Sequence, residues 1–180
     1  MMRRRGFNRP MGGGPVVIPP ALRRANQLMA SGDYGAAAAA FEDLASRAEG
    51  RNGPRAPWFY LQAGRARLAM DQADTAMGHF QRGLALFAAA RRFGRLYGAG
   101  QRVAQELNAK GLTKEAQIIS DYVKANVPAL PEGGASTPHP KVALPTHCPA
   151  CGGPVRSDEA DWIDDSTAEC PFCGSPVRGE

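Results

Sequence analysis

Near its C-terminal end the chain writes one motif twice: Cys148-Pro-Ala-Cys-Gly-Gly-Pro-Val-Arg156 and Cys170-Pro-Phe-Cys-Gly-Ser-Pro-Val-Arg178. Cys148, Cys151, Cys170 and Cys173 are all the cysteines it has. Two residues between the cysteines of a pair let both sulfurs face one metal ion. The 18 residues between the pairs are enough for a hairpin that carries the second pair round to the first. Four thiolates then complete a tetrahedron, the geometry that suits zinc. The spacing lies within the range expected of zinc sites. Gly152 and Gly174 follow the second cysteine of each pair, where a residue without Cβ lets the chain turn and aim amides at the sulfurs.

With all four ligand positions matched, residues 146–180 resemble the zinc ribbons. The resemblance implies two knuckles, each followed by a short strand, with Trp162, Ile163, Thr167 and Ala168 supplying further strands and a little core. A segment this small cannot fold on apolar burial alone, so metal binding has to supply the missing free energy. One structural Zn2+ is expected. A catalytic ion needs an open coordination position, and four cysteines close the shell. His147 reads as an exposed neighbour of a ligand, and His79 and His139 have no partner at useful spacing. Paired thiols that release metal and oxidise are the alternative use of such a site.

The rest of the chain divides by composition. Residues 1–17 hold Arg3-Arg4-Arg5 and Gly12-Gly13-Gly14 and read as a flexible basic arm. Residues 18–127 are rich in Ala, Leu, Gln and Arg, and read as all helical. Residues 128–145 are a Pro/Gly-rich linker, expected to keep two cores apart. Helices are expected at about 20–31, 34–48, 56–70, 73–91, 95–109 and 113–126.

The helical part repeats. Ala25, Gly64 and Ala104 align; twelve residues on stand Ala37, Ala76 and Ala116, and sixteen on stand Phe41, Phe80 and Ser120. Turns at Ser31-Gly32-Asp33, Asp71-Gln72 and Lys110-Gly111 split each unit into two helices. Across about 105 residues this pattern resembles the tetratricopeptide repeat family, with Gly32-Asp33-Tyr34, Ala37 and Phe41 at the family's spacing. It departs from the family in its period of 39 to 40 residues, in Asp71 at a turn glycine and in Ser120 at an aromatic position. The implied fold is an all-α stack of three helical hairpins followed by a small four-cysteine ribbon.

Charge bears on partners. The net +5 is uneven: residues 1–24 carry +6, residues 25–127 carry +4, and residues 146–180 carry −5. An acidic metal module repels phosphate, which weighs against a nucleic-acid role built on the basic arm. No Ser-His-Asp set, carboxylate pair or phosphate loop stands out, so the chain reads as no enzyme. With no long apolar run and an Arg-over-Lys bias typical of GC-rich bacterial genomes, a cytoplasmic bacterial protein without a membrane span is expected. The repeat resemblance implies a protein or peptide ligand. Asn26, Arg65 and Gln105 would form a row on the first helices, and Trp162 in the ribbon is a further contact candidate. The reading is thus a protein-interaction adaptor. A nucleic-acid-associated protein and a redox-switched zinc protein are the alternatives.

Overall fold

The computed structural model describes residues 19–127, 142–157, 160–162, 164–170, 172–173 and 175–179. The basic arm, most of the linker, His139, Ile163 and Gly174 lie outside the described residues.

Six helices come first: α1 (Pro20–Ala30), α2 (Tyr34–Glu49), α3 (Ala56–Ala69), α4 (Ala73–Ala89), α5 (Phe93–Ala109) and α6 (Thr113–Asn126). All six begin and end within two residues of the sequence reading. Proline opens α1, where its missing N–H costs nothing. The Asp33 carboxylate caps α2 by accepting from the Ala36 amide at 3.2 Å. Five helix ends close in the same way, with an amide reaching back five residues to a carbonyl: Asp33 to Leu28, Gly53 to Ala48, Gln72 to Arg67, Arg92 to Phe87 and Leu112 to Leu107. Each such closure needs a residue at positive φ. Gly32 and Gly111 provide it in units one and three, and Asp71 provides it in unit two at φ 58°. Aspartate reaches the left-handed region more readily than most residues, so the missing turn glycine is tolerated.

Consecutive helices pack on one another, and the aligned small residues mark the closest approaches. A Cβ placed on Gly64 would sit 2.6 Å from the Phe80 ring. In unit three the close approach falls at Gly100, one turn before the aligned Ala104, where a Cβ would overlap a Val123 methyl. In unit three Ser120 turns its hydroxyl back onto the Ala116 carbonyl at 2.9 Å, and the neighbouring Ile119 is buried in its stead. Of the aromatic run opening α3, Trp58 and Phe59 are buried. The Trp58 ring meets Phe87 edge-on at 4.9 Å, and Tyr60 points out to donate to Glu49 at 2.6 Å. His79 does have partners: it meets Glu42 at 2.9 Å, and Glu42 also accepts from Arg67 at 2.8 Å. Spacing of 37 residues hides such a pair from a sequence reading, because only the hairpin stack brings α2 and α4 together.

After the linker the chain forms a three-stranded antiparallel meander: β1 (Asp161–Trp162), β2 (Thr167–Glu169) and β3 (Pro176–Arg178). Ala168 faces Trp162 on one side and Val177 on the other. The second knuckle is followed by a strand, as expected. The first is followed only by an isolated bridge from Pro154 to His147.

The expected separation of two cores does not hold. One apolar core joins α3 to α6 through Trp58, Leu61, Phe80, Phe87, Leu96 and Ile119. A second runs from Leu22, Phe41 and Phe59 of the helices directly into Cys148, Cys151, Val155 and Val177 of the ribbon. The physical reason is written in α3. Its residues are buried almost all round, including Ala56, Phe59, Gln62 and Ala63 as well as the side facing α4. A helix without a polar face needs cover on every side; α2 and α4 supply most of it, and the ribbon adds to it beside Phe59 and Ala63. Among the described residues, no helix is long and apolar enough to cross a membrane.

Candidate metal centre

The four cysteines converge, with all their sulfurs within 4.8 Å of one another and all four side chains buried. Cys148 Sγ lies 3.8 Å from Cys173 Sγ, and Cys151 Sγ lies 3.7 Å from Cys170 Sγ. A regular tetrahedron with a metal–sulfur bond of about 2.3 Å has an edge of about 3.8 Å. The separations are far beyond a disulfide bond of about 2.05 Å. The donor set and its spacing therefore fit a single tetrahedral ion.

The two knuckles are built alike. Cys148 N donates to Gly153 O and Cys170 N donates to Ser175 O, both at 2.8 Å. Each loop then turns its amides toward sulfur. Ala150 N reaches Cys148 Sγ at 3.3 Å, Gly153 N reaches Cys151 Sγ at 3.3 Å, and Phe172 N reaches Cys170 Sγ at 3.4 Å. Amides placed this way favour thiolate over thiol, which a metal ligand requires. Gly152 takes φ 72°, so the turn after Cys151 needs the freedom that glycine brings. Hydrogen bonding within the sulfur cluster lowers the Cys148 and Cys173 thiols and raises those of Cys151 and Cys170. His147 is exposed and meets Thr146 Oγ1 at 3.1 Å, outside the sulfur shell.

Among the described residues, polar contacts fasten the ribbon to α1, to the turn just before α3 and to α5. In α1 the Asn26 side-chain amide donates to the backbone carbonyl of Cys151. Just before α3, Arg55 donates to Ser175 Oγ at 2.7 Å. In α5, Arg95 pairs with the buried Glu169 of β2. Two of the three contacts land on or beside the knuckles. A cleft of about 400 Å³ remains between the two parts, lined by Asn26, Met29 and Gln62 on one side and His147, Gly153 and Phe172 on the other. Gln62 is buried there with no hydrogen-bond partner for its Nε2.

The row of Asn26, Arg65 and Gln105 is only partly assembled as a common surface. Asn26 faces the ribbon, Arg65 is held by Glu106 at 2.9 Å, and Gln105 is exposed on α5. Trp162 is half-buried and donates to the Ser157 carbonyl at 3.2 Å. The sequence reading missed Arg55, Arg95 and Glu169. Two signals pointed toward them: the apolar circumference of α3, and the opposite charges of residues 25–127 and 146–180.

Compared with protein-family models, curated proteins and solved structures, the chain matches none.

Proposed function

We propose that this chain is a non-enzymatic protein-interaction adaptor, built from three tetratricopeptide-like hairpins and a ribbon that carries one structural zinc ion. Cys148, Cys151, Cys170 and Cys173 would hold the metal, and a shell of four thiolates leaves no position for substrate or water. Zinc bound this way cross-links the two knuckles and neutralises charge that would otherwise force the sulfurs apart. A cytoplasmic setting, where free thiols persist, suits the site.

One observation carries the adaptor reading. The face of α1, α3 and α5 is already engaged with a protein module, through apolar packing and through a side-chain amide on a backbone carbonyl. Contacts to backbone carbonyls are how a helical surface recognises a chain whatever its side chains. The basic stretch of the helices and the acidic ribbon add charge complementarity.

The test is affinity capture with the full-length, metal-loaded chain as bait, after nuclease treatment and washing at high salt. A defined protein that binds the purified chain directly in a two-component assay supports the reading. Recovery of nucleic acid alone, lost at high salt, would replace it with the phosphate-binding alternative.

A further inference from the structure

The face that carries Asn26, Arg55 and Arg95 is covered by the chain's own ribbon. Three properties of this contact distinguish it from the interior of the helical stack. It is polar at its anchoring points, whereas the core from α3 to α6 is made of Trp58, Leu61, Phe80 and their neighbours. It is incompletely closed, leaving a cleft of about 400 Å³ between the helices and the ribbon. Its covering module also depends on a ligand for its fold, since three strands of two or three residues bury too little to stand without metal.

We propose that the ribbon is a metal-dependent latch on the face of α1, α3 and α5: with the metal bound it occupies that face, and with the metal lost it melts and uncovers it. Asn26 hangs on Cys151 O and Arg55 on Ser175 Oγ, both within the knuckle loops. Those loops keep their shape only while the sulfurs are tied together. Unfolding the knuckles removes both acceptors at once and opens the Arg95–Glu169 pair to water, where an ion pair is weak. The uncovered face presents an amide and two guanidinium groups around Leu22 and Phe59. That is a surface suited to a segment with carbonyls and carboxylates, as the ribbon itself is. This inference rests on the adaptor reading only for its purpose; the latch itself can be measured without any partner.

Hydroxyl-radical footprinting of the full chain tests it, with the zinc-loaded protein compared with the same protein after chelation. The latch predicts modification of Met29 and Phe59 rising several-fold on chelation, while Phe80 and Phe87 in the α3–α6 core stay protected. Arg95→Glu should raise Met29 and Phe59 modification with zinc still bound. Adding Glu169→Arg to that variant should restore protection. Two results overturn the proposal. Unchanged modification of Met29 and Phe59 after verified metal loss means that the ribbon does not cover the face in solution. A parallel rise at Phe80 and Phe87 means that the ribbon is a fixed part of the helical fold. Either failure leaves the capture experiment, and the adaptor reading with it, standing on its own result.

Discussion

The helical stack and the ribbon reach a defined structure by opposite routes. The stack spreads its stability over many side chains. Trp58, Phe80, Phe87, Leu96 and Ile119 are each fully or almost fully buried, and every helix rests on its chain neighbour. No single residue is the sole support. The ribbon gathers four sulfurs and the amides that point at them, and on the proposed reading its stability is concentrated there. Its strands are short, and its apolar contribution is Val155, Ala168, Val177 and little more. Distributed burial tolerates local departures such as Asp71 at a glycine turn and Ser120 at an aromatic position. A site concentrated in four sulfurs is expected to tolerate no change at any of them.

The largest effect should therefore come from a single sulfur. Cys170→Ser removes one ligand of four, and with it much of a metal-binding free energy on the order of 10 kcal/mol in comparable zinc modules. The expected outcome is loss of stoichiometric zinc and of the ribbon's dispersed amide resonances, with the helical circular dichroism largely kept. Loss of the helical signal in step with the metal would break the contrast between the two regions.

A core truncation in the stack is the reciprocal perturbation. Phe80→Ala removes a ring packed against Gly64, and should cost about 3–5 kcal/mol in denaturant-induced unfolding of the helices. At temperatures where the variant is still folded, zinc content should be unchanged, because Phe80 belongs to the α3–α6 core and not to the one shared with the ribbon.

A smaller effect is expected at the seam. Arg95→Ala leaves Glu169 in β2, a buried residue, without its cation. About 1–3 kcal/mol of ribbon stability should be lost, read as several-fold faster zinc transfer to a chelator. Unaltered transfer kinetics would mean that this seam contributes nothing to holding the ribbon.

The smallest effect lies between α2, α3 and α4. Burial acts to raise the Glu42 carboxyl, but Arg67 and His79 outweigh it and hold the group below its ordinary 4.5. A depressed folded-state value contributes stability that is present above the unfolded value and lost as pH falls through the folded one. The melting temperature of the natural chain should thus fall more steeply below about pH 4.5 than that of Glu42→Gln. Parallel curves would show that the cluster is a surface ornament of the stack.

Much of this was legible in the sequence. All six helices could be placed because their turns carry Gly32, Asp71 and Gly111 at regular intervals and their apolar residues recur at helical spacing. The four sulfurs could be named because the knuckle is written twice. The docking of the ribbon was not read, although its traces were present. The Pro/Gly linker suggested separation, and a linker's composition says how far it can reach and nothing about what its ends touch. The row of Asn26, Arg65 and Gln105 was drawn from repeat arithmetic, which gives a residue's place on its helix but not its neighbour across the stack. Arg65 turned to Glu106 and Asn26 to Cys151 through contacts 41 and 125 residues apart in the chain.

The central claim, a ribbon tied by one metal on four cysteines, is tested most directly by X-ray absorption at the zinc edge on the purified, zinc-loaded chain, alongside its metal content by elemental analysis. The account predicts about one zinc per chain in a shell of four sulfurs at about 2.3 Å, with no nitrogen or oxygen neighbour. A shell in which His147 or water replaces a sulfur, or a folded ribbon in a metal-free chain, would contradict it.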